Sequence, residues 1–284
     1  MNAFSRGLRL AMASWTVVRQ DRQLLILPII SFFCSVIVIA VFAAGTWGVG
    51  LPEGDRLEPV HYLILFLLYV ALAFVTIFFN AAVIGTAMER LKGHDASIAD
   101  GVKLAREHLG QIFLWAVVTA TVGVILRSLS ERFGVVGRIV ISLIGAAWNV
   151  VTFFVVPVLL FEPVGVGDGI KRSASLFRQR WGEEFVGNGA IGIVVFLASI
   201  VVGAVALALG MVALPVGIVV GVLGIGALMA IGAACSGVFN AALYRYATTG
   251  EASGAFSIED LSSSFRPKGR RGLFGGSAPT RPDL

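Results

Sequence analysis

Charge is what this sequence has least of. Asp, Glu, Lys and Arg make up 14% of its 284 residues, while 57% are hydrophobic. Soluble domains carry about 25% charged residues, so a water-soluble globule is excluded. Cysteine is nearly absent as well. Cys34 and Cys235 both fall inside apolar runs, which excludes a secreted disulfide framework. The three histidines are His61, His94 and His108. His94, Asp95, Asp100 and His108 share one polar stretch, but their spacing matches no ligand pattern, and no HExxH, CxxC, P-loop or GxSxG sequence occurs. No stretch alternates with the period of a barrel strand. The chain is therefore expected not to be an enzyme, with no catalytic residue, no cofactor and no metal ligand assigned.

The charges that do occur act as punctuation. None falls in Leu24–Leu51, Pro59–Met88, Leu109–Leu126, Ile139–Phe161 or Phe185–Tyr244. About 20 apolar residues cross a bilayer as one helix, and the 60 residues of the last run suit two helices turning between Leu209-Gly210 and Pro215. The expected fold is all-α: a polytopic membrane domain over residues 1–249, with six transmembrane helices at about 24–49, 61–88, 109–126, 139–161, 185–209 and 216–244. Residues 250–284, rich in Gly, Ser, Pro and Arg, read as a disordered basic tail.

Orientation follows from Lys and Arg beside the spans. Eighteen of the 22 lie on one side, in the N-terminal segment, the second and fourth loops and the tail; only Arg56, Arg127, Arg132 and Arg138 lie on the other. Both termini are expected in the cytoplasm, and the protein in the cell (inner) membrane. The net charge of +5 then fits anionic lipid headgroups and needs no nucleic acid. The first apolar run is too long for a cleaved signal peptide and reads as a retained helix.

Three segments beside the spans read as interfacial amphipathic helices. In residues 1–23, Leu8, Ala11, Trp15 and Val18 share a face that avoids Arg9 and Arg19. In the second loop, Ser97 with Asp100 forms a capping-box-like start, followed by a stripe of Ile98, Val102, Ala105, Leu109 and Ile112. From Gly167 to Trp181, Val166, Ile170, Phe177 and Trp181 lie on one side and Lys171, Arg172 and Arg178 on others. Trp15, Lys171, Arg172 and Trp181 are thus the candidate interfacial residues.

These segments share a pattern. Gly7-Leu8-Arg9-Leu10-Ala11, Gly101-Val102-Lys103-Leu104-Ala105 and Gly169-Ile170-Lys171-Arg172-Ser173 each precede a hairpin, the last two after an Asp (Asp100, Asp168). Phe79-Asn80-Ala81-Ala82-Val83 is echoed by Phe239-Asn240-Ala241-Ala242-Leu243, whereas hairpin two reads Phe154-Val155-Val156-Pro157-Val158, with a helix-loosening Pro. The expected plan is three units, each an interfacial helix plus a two-helix hairpin. The run Ala147-Trp148-Asn149 to Thr152-Phe153-Phe154-Val155-Val156-Pro157, then Gly169 to Ser173 and Phe177 to Trp181-Gly182, resembles a bacterial family of multi-pass membrane proteins with only a domain-of-unknown-function label. The resemblance covers roughly residues 1–250. In general plan the chain is also similar to the membrane domains of some glycerophosphodiester phosphodiesterases, whose catalytic barrel has no counterpart here. The resemblance implies a six-helix membrane fold and no activity.

No apolar run holds an ionisable residue at mid-depth, where ion transporters place one. The neutral polar candidates for buried positions are Asn80, Asn149, Thr152 and Asn240. Asn149 is the deepest and shares a face with Ser142, Gly145 and Thr152. Asn80 and Asn240, as echoed positions, are expected to face inward in matching environments. The sequence favours a scaffold or accessory factor at the cytoplasmic leaflet; the alternative is a small-solute or lipid transporter with a polar cavity near Asn149. Glycine-rich faces in the last two spans leave open a homo-oligomer or another membrane-protein partner.

Overall fold

The computed structural model describes residues 3–49, 59–180, 187–251 and Phe256. Its helices are α1 (Ala3–Gln20), α2 (Ile26–Val49), α3 (Pro59–Leu91), α4 (Ile98–Glu107), α5 (Leu109–Arg132), α6 (Val135–Val151), α7 (Val155–Phe161), α8 (Val166–Arg180), α9 (Gly187–Val212) and α10 (Leu214–Thr249), with a 3₁₀ turn at Arg22–Leu25 before α2. No strand occurs among the described residues. Among the described residues, six segments are long and apolar enough to cross a membrane: Arg22–Thr46, Pro59–Leu91, Leu109–Arg132, Gly137–Phe161, Ile191–Val212 and Leu214–Thr249. By length and composition this is a multi-pass membrane protein, and each of these six segments overlaps a charge-free run of the sequence.

The core sits at one end of the bundle. On α3 the fully buried stretch is Ala81–Met88, and on α10 it lies mainly between Ala230 and Ala247. Leu10 and Val18 of α1, Leu24 of the 3₁₀ turn, Leu27 of α2, Ala105 of α4, Phe154 just before α7, Val158 of α7, and Leu176 of α8 join the same cluster. All of these lie towards the basic ends of the spans. At the opposite end the bundle thins out, and Met211 and Val212 at the α9–α10 turn are 85% and 89% exposed. That turn is shorter than the sequence implied, a single residue, Ala213, with Pro215 at the start of α10. The small residues of these two helices pack on each other. A Cβ on Gly217 would stand 2.4 Å from the Gly210 Cα, and one on Gly221 would touch Ala206. Backbones in lipid approach this closely only over such residues.

α1 and α4 are docked onto protein. The ridge of α1 that is buried runs Leu10, Ser14, Val18, one residue out of phase with most of the expected stripe. Ser14 fits there because its hydroxyl donates to Leu10 O at 3.0 Å. Trp15 points outward instead, 40% exposed, beside an apolar recess of about 280 Å³ shared with Met12, Ile191, Val194 and Cys235. α4 starts with the expected capping box, Ser97 and Asp100 exchanging side-chain and backbone bonds. Its stripe is half-buried at Ile98 and Val102 and fully buried at Ala105 and Ile112, while Leu109 faces out. Trp181 and most of residues 250–284 lie outside the described residues.

Candidate functional site

The fourth span is broken, where the sequence implied one continuous helix over 139–161. α6 ends at Val151 and α7 starts at Val155, with non-helical turns at Thr152 and Phe154. Pro157 is the cause on the α7 side, since it offers no N–H to Phe153 O and its ring crowds that carbonyl. Its effect is displaced upstream. Phe153 N bonds Val150 O and Val155 N bonds Thr152 O, so Val151 O and Phe154 N also lose their α-helical partners.

These three groups are satisfied from other helices. Ser173 of α8, itself fully buried, donates its hydroxyl to Val151 O at 2.6 Å and accepts from Phe154 N at 3.0 Å. Asn240 of α10 donates its amide to Phe153 O at 3.0 Å. A buried backbone group left unpaired costs about 1–3 kcal/mol, so these contacts are what permits a break at this depth. Ser173 came out of the sequence only as a letter in a repeated pattern. Its one signal was a hydroxyl standing where Ala105 stands in the related segment.

Just beyond α7 the same elements meet again through charge. The Nε of Arg172 lies 3.1 and 3.0 Å from the two carboxylate oxygens of Glu162, and the Tyr244 hydroxyl donates to Glu162 Oε1 at 3.0 Å. The Tyr244 ring stacks on Phe161 at 6.0 Å, and the Lys92 ammonium lies 5.7 Å over the other ring of that pair, Phe161. Arg172 is thus tied to Glu162 while its side chain stays 40% exposed. Lys171 does point outward, paired with Asp168 at 3.0 Å. Further round the basic end, Arg90 pairs with Asp21 and bonds Ala96 O, while Arg245 bonds Leu91 O and pairs with Glu251. The polar side chains of the second loop, to which the sequence assigned no metal, have local partners. His94 pairs with Glu89, Asp100 holds the α4 cap, and His108 Nδ1 meets Leu104 O; among the described residues no three such side chains gather.

The remaining polar candidates part company. Thr152 bonds its own helix, to Trp148 O at 2.7 Å. Asn149 is exposed on the outside of α6, because Trp148 takes the inward place and stacks on Trp115 of α5 at 6.0 Å. Asn149 is therefore an exposed position in the chain and not a buried one. Asn80 lines a groove of about 520 Å³ between α2, α3 and α10, with Ser31, Phe32, Phe79, Met229 and Ser236. Asn80 and Asn240 do not share an environment, one facing that groove and the other capping a broken helix. The environments expected to match therefore differ.

A family model described as "Family of unknown function (DUF6159)" matches residues 59–255. No curated protein and no solved structure matches the chain.

Proposed function

We propose, from the premise that the chain belongs to the family of unknown function DUF6159, that it is a non-enzymatic scaffold or accessory protein of the cell membrane. Its basic end lies at the cytoplasmic leaflet, with both chain termini on that side, by the eighteen-to-four division of its cations. The observation that carries the reading is the two-sided character of α8. Its inner face is stitched into the broken helix through Ser173 and Arg172. Its outer face presents Lys171, Ala174, Ser175 and Arg178 as a shallow basic surface. Lys103 and Arg106 of α4 are exposed at the same end. Juxtamembrane cations of this kind attract anionic headgroups by about 1 kcal/mol each.

Native mass spectrometry of protein released from bilayers of mixed phosphatidylglycerol and phosphatidylcholine tests this. Phosphatidylglycerol should be retained in excess, and the paired Lys171→Gln, Arg178→Gln variant should lose that excess. Equal retention of the two lipids by the unaltered chain would sink the reading.

A transporter is the second reading, and the groove at Asn80 is what favours it. Ser31 lies nine residues after Arg22, Asn80 ten before Arg90, and Ser236 nine before Arg245. At 1.5 Å per residue all three polar groups sit about 14 Å inside the charged end. Uptake of uncharged solutes into proteoliposomes, abolished by Asn80→Leu, would replace the scaffold reading with this one.

A further inference from the structure

We propose that the outer stripe of α6 is the docking face for a second copy of this chain, with Asn149 pairing amide to amide across a two-fold axis. Asn149 lies eleven residues after Arg138 and thirteen before Glu162, so it sits near the middle of the span. Its exposed side chain meets hydrocarbon there, where an unpaired amide is strongly disfavoured.

Hydroxyls elsewhere in the spans avoid this problem by bonding their own helices, as Ser35 does to Ser31 O, Thr86 to Ala82 O, Thr121 to Val117 O and Ser199 to Val195 O. An amide with two donors and an acceptor has no such local solution. Asn240 finds Phe153 O on another helix. Asn149 bonds no described residue, and the Trp115–Trp148 stack holds α6 in the rotation that turns it outward.

The stripe around Asn149 has the form of a two-helix seam. Ile139, Ser142, Ala146 and Asn149 are all exposed and recur at alternating steps of three and four, the a and d spacing of a left-handed coil. One Asn in such a seam sets register and strand number, and small neighbours such as Ser142 and Ala146 let two backbones close up in lipid. α6 is free to take a partner, since within the chain it packs chiefly on α5 and α8.

The chemistry selects the occupant. An acyl chain offers Asn149 no hydrogen bond, and a lipid headgroup does not reach mid-span. The stripe carries no charge for a charged partner to meet. A second Asn149 supplies both the donor and the acceptor, so the face is complementary to itself, as a two-fold interface requires.

The test uses the full chain in liposomes at low protein density, with subunits counted by single-molecule photobleaching. The unaltered chain should be dimeric, and Asn149→Leu should weaken the dimer about tenfold, while Asn149→Gln, which keeps the amide, should retain it. Asn149→Cys and Ser142→Cys should each cross-link to a second copy on oxidation, and Phe196→Cys, exposed on α9 off the stripe, should not. If Asn149→Leu fails to fold, the cysteine pair decides. A monomeric unaltered chain overturns the proposal. So does a dimer indifferent to Asn149→Leu, or cross-linking at Asn149→Cys to a different protein in native membranes.

Discussion

The segments α3–α4 and α7–α8 share a layout and differ in one respect. Each is a span end followed by a short helix that doubles back on it, with an Asp-Gly pair near the start of the second helix (Asp100-Gly101, Asp168-Gly169) and a fully buried small residue four places after the glycine, Ala105 or Ser173. α3 is unbroken for 33 residues, its backbone groups satisfied within the helix, and α4 meets it at bare backbone. α7 begins at a break, and α8 meets it with a hydroxyl. The two buried residues are of similar size. Ala serves where the facing helix needs nothing, and Ser where the facing helix has a carbonyl and an N–H to satisfy. At Ser173 the polar residue therefore answers a backbone defect opposite, as Asn240 does for Phe153 O.

The largest expected effect separates the glycines. A Cβ on Gly101 would stand 2.1 Å from Thr86 Oγ1 and 2.3 Å from Ala82 O, both on α3, so Gly101→Ala should push α4 off and cost about 3 kcal/mol or more. At Gly169 the same Cβ meets side chains and no backbone, Leu159 Cδ2 at 3.1 Å and Val158 Cγ1 at 3.9 Å. Gly169→Ala should stay within about 1 kcal/mol of neutral, since alanine also favours the helix. Unfolding midpoints of the two solubilised variants test this, and equal losses would erase the distinction.

Next comes the exchange of the small residues. Ser173→Ala strands Val151 O and Phe154 N and should cost about 2–4 kcal/mol. Ala105→Ser should cost about 1 kcal/mol or less, because a helical serine can bond a carbonyl one turn back. A severe loss on Ala105→Ser would show that packing, and not backbone satisfaction, governs both sites.

A smaller effect lies in the coupling of Pro157 and Asn240. Asn240→Leu alone leaves Phe153 O unpaired, at about 1–2 kcal/mol. In a Pro157→Ala background the restored N–H of residue 157 competes for that carbonyl, so Asn240→Leu should cost less. A double-mutant cycle reads the difference, and strict additivity would mean that Asn240 does not serve the break.

The smallest effect depends on pH and contrasts the helix starts. The Ser97 hydroxyl and then the Ser97 N–H, both donating to Asp100, hold its carboxyl below its usual range. A carboxylate with a lowered folded pKa adds stability above its unfolded pKa and loses it as pH falls through the folded value. Hydrogen exchange at the start of α4 should therefore speed up below about pH 4. α8 has Gly165 where α4 has Ser97, and Asp168 turns to Lys171, so its start should respond less. Equal responses would remove the box as the cause.

The spans were legible because charge punctuates them, and the capping box because Ser97 and Asp100 are local in sequence. What was hidden depends on which neighbour a face meets. Periodicity put Asn149 with Ser142, Gly145 and Thr152, but the choice of Trp148 as the inward residue is made by Trp115 on another helix. The α1 ridge was misphased because Ser14 looks polar and its hydroxyl bond to Leu10 O does not show in a hydropathy pattern. Pro157 announced a weakened helix, while the position of the break was fixed by Ser173 and Asn240, 19 to 22 and 87 residues downstream of the groups they satisfy.

Those separations impose an order in time. Chains emerge at ~5–20 residues per second, so Ser173 follows the break by roughly 1 to 4 s and Asn240 by roughly 4 to 17 s. The fourth span thus enters the bilayer with three backbone groups open, two closed by the next helix and the last only by the final span. A chain halted between α9 and α10 should be degraded faster than one halted after Thr249, with Pro157→Ala narrowing the gap. In the nascent protein the broken helix acts as a clock that stops only when the last helix arrives.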